Sequence, residues 1–205
     1  MRTMRFLFLA AFIAVFLGSI LTVPGTSFGQ QMSDQDKKMM EMMMKYGTPG
    51  KNHEIFKKYV GDWDVVTKSW PQPGAEPVIG KGTMKNELIL EGRYVKCHFE
   101  AMMMGMKFTG LEIIGYDLYK NKYVTFWIDN MSTSFVYTSG KLDASGKVLT
   151  ETGEWPDPMT EGKTMQKVKN VTTLEDGKYK FEMFMVMPDG KEVKSMELSA
   201  TRKMM

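Results

Sequence analysis

The sequence predicts an all-β protein, an antiparallel up-and-down barrel of about ten strands preceded by a short N-terminal helical arm. After Gly61, β-branched and aromatic residues recur with period two, and turn signals separate the runs. No connection between the runs is long enough for a crossover helix, so neighbouring strands should pair antiparallel. Consecutive hairpins of this number either close into a barrel or leave long exposed edges. We expect closure, with a two-sheet sandwich as the alternative.

The first 29 residues have the layout of a secretory signal peptide. Arg2 and Arg5 form a basic start, residues 6–21 are an apolar run, and Ser27 and Gly29 place small side chains before a cleavage point after Gly29. The alternative is an uncleaved membrane anchor, but the apolar run is shorter than the roughly 20 residues needed to span a bilayer. We therefore predict an exported protein, periplasmic or secreted, without stable membrane insertion after cleavage.

The charge balance beyond this leader limits the kinds of partner. Since Arg2 and Arg5 lie in the leader, the remaining 176 residues carry 25 basic and 24 acidic side chains. Such a balance provides no excess positive charge for a phosphate backbone, which argues against nucleic acid as a partner. Cys97 is the single cysteine, so the chain can form no internal disulfide. The sequence leaves the oligomeric state open.

A methionine-rich helical arm is predicted over residues 30–52, before a barrel domain over residues 53–205. Ser33 suits the N-cap of its helix. Four methionines then share one helical face: Met39, Met40, Met43 and Met44. Such a stripe is expected to pack on the barrel or on a partner rather than stay exposed. Because thioethers are soft ligands for Cu(I), a periplasmic copper-binding protein is an alternative function.

A second short helix is predicted at about residues 52–59, followed by the strands. Turn residues place the ten strands near 62–70, 78–90, 93–103, 106–117, 122–131, 134–142, 147–154, 164–174, 178–187 and 191–202. Period-two alternation also assigns their faces. In the last strand it places Lys194 and Arg202 on the core side with Leu198, and in the third strand it places Arg93 there with Cys97.

Residues near the start of the first strand and the end of the last strand could hold these two strands together. Gly61 and Trp63 open the first strand, and Arg202 lies near the end of the last. A guanidinium over an indole face is worth about 0.5–2 kcal/mol. A Gly-x-Trp after a short helix, with a distant C-terminal Arg, resembles the closure of lipocalins and other calycins, in which the Arg stacks on the Trp. The resemblance implies a structural role for these three residues.

A broader resemblance runs from about Met40 to Arg202. Over this range the chain resembles the bacterial family called domain of unknown function 1579. The matching stretches include Thr48-Pro49-Gly50, Gly61-Asp62-Trp63, Glu91-Gly92-Arg93-Tyr94-Val95, Phe108-Thr109-Gly110, Gly115-Tyr116-Asp117 and Trp127-Ile128-Asp129. Leu118 departs from the pattern, in which Asn is expected after Gly-Tyr-Asp. The resemblance implies a lipocalin-like fold and no known activity, so it transfers no catalytic residue and no cofactor.

The predicted ligand-binding residues are Arg93, Tyr123, Trp127, Asp129 and Thr133. Trp127 and Asp129 share a strand face with Tyr123, and an aromatic ring beside a carboxylate suits the few oriented polar groups of a mostly apolar pocket. An inward-pointing Arg93 could meet a ligand carboxylate, although it could also pair with an internal Asp or Glu. The alternative for the other residues is an outward face, with Thr133 shaping a turn.

The residue inventory disfavours catalysis. His53 and His98 are far apart, and His53 lacks the second His of a zinc helix motif. No Gly-x-Ser-x-Gly motif or phosphate loop occurs. Glu151, Glu154 and Asp157 could mimic a catalytic carboxylate pair, but we expect them to form a solvated hairpin rim.

These observations favour a non-catalytic binding protein for a small, largely apolar ligand, without a cofactor. The copper-binding protein is the first alternative, and a hydrolase-type enzyme is the second.

Overall fold

Ten antiparallel strands close into one barrel, as the sequence predicts. The structure is a computed structural model, and it describes residues 32–103 and 105–204. Each strand pairs with its neighbours in the sequence, and the first pairs with the last to complete the ring. The strands are β1 (Gly61–Ser69), β2 (Val78–Ile89), β3 (Tyr94–Met103), β4 (Met106–Asp117), β5 (Lys122–Asp129), β6 (Val136–Leu142), β7 (Val148–Pro156), β8 (Met165–Glu175), β9 (Lys178–Val186) and β10 (Glu192–Arg202). This closed pairing excludes the sandwich alternative.

Short helical segments precede the barrel. They are α1 (Asp34–Gly47), a 3-10 turn (Lys51–His53) and α2 (Phe56–Tyr59). The Ser33 hydroxyl oxygen accepts a hydrogen bond from the backbone N–H of Asp36 at 3.2 Å, which is the predicted cap of α1. The helix predicted at 52–59 is divided between the 3-10 turn and α2. Residues from Met42 onward form one compact unit with the barrel. The predicted signal peptide, residues 1–29, lies outside the described residues.

The barrel is closed at the α2 end around Trp63, which is fully buried. The central carbon of the Arg202 guanidinium lies 4.5 Å from the centroid of the Trp63 ring. Arg202 also donates hydrogen bonds to the carbonyl oxygens of Val60 and, at 3.0 Å, of Lys58. Gly61 has a φ of +133°, and a Cβ there would lie 2.9 Å from Arg202 Nη1, so glycine suits both the backbone and the space. The structure thus contains the contact between Trp63 and Arg202 that the sequence predicts.

The inward position predicted for Lys194 is wrong. The register between β9 and β10 shifts between Lys194 and Met196, where β10 has a bulge. A bulge inserts one extra residue and reverses the alternation beyond it. Lys194 therefore lies on the outer face, where it forms ion pairs with Glu182 and Glu197.

Candidate functional site

At the end of the barrel opposite Trp63, the inward-facing side chains become progressively exposed. Exposure rises from 8% at Tyr179 in β9 to 39% at Met187 just beyond it. In β3 it rises from 0% at Val95 to 37% at Met103. The barrel is therefore open at this end. We call the inside of the barrel at this end the cup. Its lining residues are Phe99, Phe108, Trp127, Asp129, Phe181 and Met183.

Trp127 is the centre of an aromatic cluster in the cup. Its ring stacks on Phe108, with centroids 6.3 Å apart and an interplanar angle of 20°, and Phe99 lies 6.5 Å away. Trp127 Nε1 donates a hydrogen bond to Asp129 Oδ2 at 2.8 Å. The ring covers Gly110 on the next strand so closely that a Cβ there would overlap it. Gly110 in β4 and the Asp129 carboxylate in β5 together fix the orientation of the Trp127 indole.

Glu151 points into the barrel interior from β7 and is only 4% exposed. Thr125 Oγ1, on β5, donates to its carboxylate, at 3.0 Å from Oε1 and 3.2 Å from Oε2. The pKa of Glu151 is raised to about 7, mainly by burial and also by the nearby carboxyl of Glu112, whereas hydrogen bonds with Thr125 and Thr138 act in the opposite direction.

The expectation that Glu151 belongs to a solvated rim is therefore wrong. Glu151 alternates with Leu149 and Gly153, which also face inward, so its place in the period-two pattern is interior. Of the other two carboxylates, Glu154 is exposed, and Asp157 accepts a hydrogen bond from Met159 N at 2.9 Å.

Glu112 on β4 also faces the barrel interior, as Glu151 does on β7. It is paired across the sheet with Cys97 on β3 and with Trp127 on β5. Burial raises the pKa of Glu112 to about 7, and a hydrogen bond from the Cys97 thiol acts in the opposite direction. We call Glu112 and Glu151 the carboxyl pair. Sequence reasoning did not single out Glu112, although Phe108, Gly110 and Glu112 follow one another at period two.

Three further oxygens in the interior have no hydrogen-bonding partner among the described residues. They are Asn86 Oδ1, Thr138 Oγ1 and Asn170 Oδ1. Asn170 is the cross-strand partner of Glu151, and Asn86 is the partner of Cys97. The described interior around the carboxyl pair thus contains polar side-chain oxygens without a hydrogen-bonding partner.

The prediction that Arg93 points into the barrel is wrong. It lies in the turn before β3, which begins at Tyr94, so the inward alternation of that strand does not extend to it. Its Nε donates to the carbonyl oxygen of Gly47 at 2.9 Å, and its Nη1 lies 2.8 Å from the Glu91 carboxylate. Arg93 therefore joins the end of α1 to the closed end of the barrel, away from the cup.

Of the other four predicted ligand-binding residues, only two lie in the cup. Trp127 and Asp129 lie together in the cup. Tyr123 faces inward but lies deep, at 4% exposure, and its hydroxyl donates to the carbonyl oxygen of Asn52 at 2.9 Å. Thr133 is exposed in the loop between β5 and β6. The structure thus brings together two of the five predicted ligand-binding residues.

The methionine stripe of α1 faces solvent. Its members are exposed by 53% (Met39), 53% (Met40), 68% (Met43) and 66% (Met44). Met43 and Met44 therefore do not pack on the barrel, and packing of the stripe on a partner stays a prediction. Within residues 32–103 and 105–204, no three or more His, Cys, Asp or Glu side chains are grouped so that they could hold a metal ion. Copper binding by the methionines stays a prediction.

A second apolar surface lies on the outer face of the barrel. A groove of about 280 Å³ is lined by Leu111, Ile113, Phe126, Trp127, Ile128 and Phe135. Its side chains include Phe126 at 44% and Phe135 at 62% exposure. This outer groove provides control positions for any test of binding in the cup.

The closed ring of strands defines an antiparallel up-and-down β-barrel protein. The chain belongs to the family described as protein of unknown function (DUF1579), whose model matches residues 48–202. The family resemblance inferred from the motifs is thereby confirmed. No curated protein matches the chain. In the part of the chain that the structure describes, no helix is both long enough and apolar enough to cross a membrane.

Proposed function

We propose that the protein is a non-catalytic binding protein that takes a small, largely apolar molecule into the cup. The half-buried apolar side chains that face inward at the open end support this proposal most directly. A ligand there would remove apolar surface from water, which is worth roughly 25 cal/mol per Å². The fixed Trp127 ring and the Asp129 carboxylate supply the oriented groups expected of such a site.

The chemistry of the interior supports binding rather than catalysis. Burial raises the pKa of the Cys97 thiol well above its usual value, and the neighbouring Glu112 raises it further, which opposes formation of a nucleophilic thiolate. Glu151 is buried and holds its hydrogen bonds with Thr125. Neither histidine lies in the cup, because His53 contacts Phe56 at the closed end and His98 is exposed on the outer face.

Export is part of the same proposal. The basic start, apolar run and small residues of positions 1–29 support transport to the periplasm or the medium. A mass measurement of the protein recovered from its native cells should show loss of these 29 residues. Recovery of the full-length mass would contradict export by a cleaved signal.

The binding proposal is tested with Nile red, a neutral dye whose fluorescence increases in an apolar site. Trp127→Ala removes the main aromatic wall, and Ala101→Phe places a ring in the cup from β3. Both should weaken dye binding by about ten-fold, which corresponds to about 1.4 kcal/mol. Phe126→Ala, in the outer groove, should leave it unchanged. Because Trp127 also borders the outer groove, Ala101→Phe distinguishes the two places. If Phe126→Ala reduces binding and Ala101→Phe does not, the dye occupies the outer groove and the cup proposal is wrong.

A further inference from the structure

Among the described residues, the carboxyl pair has no basic partner. The groups that influence the pKa of Glu112 and Glu151 include no Lys, Arg or His from the described ranges. On the outer face the situation is the reverse, since Lys194 binds Glu182 and lowers the pKa of that carboxyl. Arg202 faces inward, but it is held at the closed end by Trp63 and by backbone carbonyls. The interior therefore lacks a positive charge where it has two acidic groups.

The interior also contains buried side-chain oxygens that have no hydrogen-bonding partner among the described residues. Thr138 is 2% exposed and Asn86 is 3% exposed, yet Thr138 Oγ1 and Asn86 Oδ1 have no hydrogen bond with a described residue. The same is true of Asn170 Oδ1, on the strand beside Glu151. A buried polar atom without a partner destabilises the fold unless a ligand or a water supplies one. Because Thr138 and Asn170 flank Glu151 from β6 and β8, a donor placed there would satisfy several acceptors at once.

The carboxyl pair is continuous with the cup. Glu112 is the cross-strand partner of Trp127, so their side chains are adjacent on the inner face. Glu112 is half-buried rather than buried, which leaves part of its surface accessible. A molecule that rests on the Trp127 ring can therefore extend a polar group to Glu112 and, beyond it, towards Glu151. Aromatic faces also attract cations.

We propose that the ligand of the cup carries a compact cationic amine, which donates hydrogen bonds to Glu112 and Glu151 while its apolar body packs against Trp127. This inference depends on the proposed binding function and adds the chemical class of the ligand. A primary ammonium has three N–H donors and a positive charge, so it can pair with both carboxylates and with an unpartnered oxygen beside them. A carboxylate or a phosphate would add charge of the same sign as the ionised carboxyl pair and should bind more weakly than an amine.

The test compares three probes of equal chain length by calorimetry at about pH 8, above the pKa of about 7 of each member of the carboxyl pair. Octylamine, 1-octanol and octanoate share the apolar body and differ in the head group. Because hydrogen bonds to an ionised carboxylate are stronger when the donor carries a positive charge, octylamine should bind at least about ten-fold more tightly than 1-octanol, and octanoate should bind most weakly.

Glu112→Gln and Glu151→Gln keep the shape of each side chain and remove its charge. Each should reduce the preference for octylamine over 1-octanol to about three-fold or less, whereas Glu154→Gln, on the exposed face of the same strand as Glu151, should preserve it. Equal binding of octylamine and 1-octanol by the natural protein would overturn the amine inference and leave the cup as a binding site. Absence of binding by all three probes would overturn the inference together with the binding function.

Discussion

The guanidinium of Arg202 lies 4.5 Å from the centroid of the Trp63 ring, so that the last strand of the barrel is joined to the first by stacking as well as by backbone pairing. The ring is fully buried and donates its own hydrogen bond to the carbonyl oxygen of Tyr59 at 2.8 Å. Arg202 binds the carbonyl oxygens of Val60 and Lys58. One pair of side chains thus connects the two ends of the sheet with the preceding helix.

This closure predicts a large loss of stability in two substitutions. Trp63→Ala or Arg202→Ala should lower the free energy of unfolding by about 2–4 kcal/mol, because each removes a buried contact that cannot be replaced. Chemical denaturation of both variants measures the effect. Lys178→Ala, an exposed position on β9, serves as the control. If both closure variants unfold at the same denaturant concentration as this control, the contact is not important for the barrel.

The carboxyl pair predicts that stability falls as pH rises. Burial holds the pKa of Glu112 and Glu151 at about 7 in the folded protein, against 4.5 for a free Glu, so the folded state keeps protons that the unfolded chain has lost. The stabilisation that these two protonated carboxyls give the folded state is complete below about pH 4.5 and is lost as pH rises through about 7. Between about pH 5 and 8, the free energy of unfolding should fall by roughly 2–4 kcal/mol.

Isosteric variants assign this slope to the two residues. Tyr59, Cys97 and Tyr179 surround the pair, but burial raises their pKa values well above the ordinary range, so they stay protonated in this window. Glu112→Gln and Glu151→Gln should each reduce the slope, and Glu154→Gln should not. A slope that is unchanged in both interior variants would show that other groups cause the pH dependence.

Gly110 is predicted to be essential for the position of Trp127. A Cβ at Gly110 would overlap the indole ring, so Gly110→Ala should displace the ring and destabilise the fold by about 1–3 kcal/mol. Near-ultraviolet circular dichroism and thermal melting report the two effects. Gly47→Ala is the matched control, because no atom lies within 4 Å of a Cβ at that position. An unchanged aromatic spectrum in Gly110→Ala would contradict the proposed packing.

Most of the architecture could be predicted because the period-two alternation of each strand and the turn residues between strands can be read from short stretches of sequence. Each strand of the barrel has one buried face, so alternation and Gly-containing turns identify it without knowledge of its partners. Lys194 was placed on the wrong face because a bulge depends on how two strands pair, which a single run does not show. Arg93 was misplaced because alternation was continued one residue beyond the strand, into a turn.

The carboxyl pair was harder to predict than the barrel. Glu112 stands between Leu111 and Ile113, with Ile114 following, so both faces of β4 look apolar and its own orientation is ambiguous. Glu151 is near Glu154 and Asp157 in the sequence, which favours a charged rim. An isolated acidic residue is seldom buried without a partner, and only the closed barrel shows that these two residues share its interior.

The exposed methionine stripe leaves copper binding as an alternative that is simple to test. Replacing Met39, Met40, Met43 and Met44 together by Leu keeps the apolar stripe and removes the sulfur. We expect only weak Cu(I) binding, measured by competition with a chelator, and little change in the variant. A site of about nanomolar affinity or tighter, lost in the variant, would favour the copper-binding function.

The central claim is that the cup holds a small organic molecule, and native mass spectrometry of protein purified from the cells that make it tests this most directly. The account predicts a non-covalent organic mass on each barrel, absent from Ala101→Phe purified in the same way. A barrel that carries the same additional mass in both proteins, copper alone, or no additional mass would contradict it.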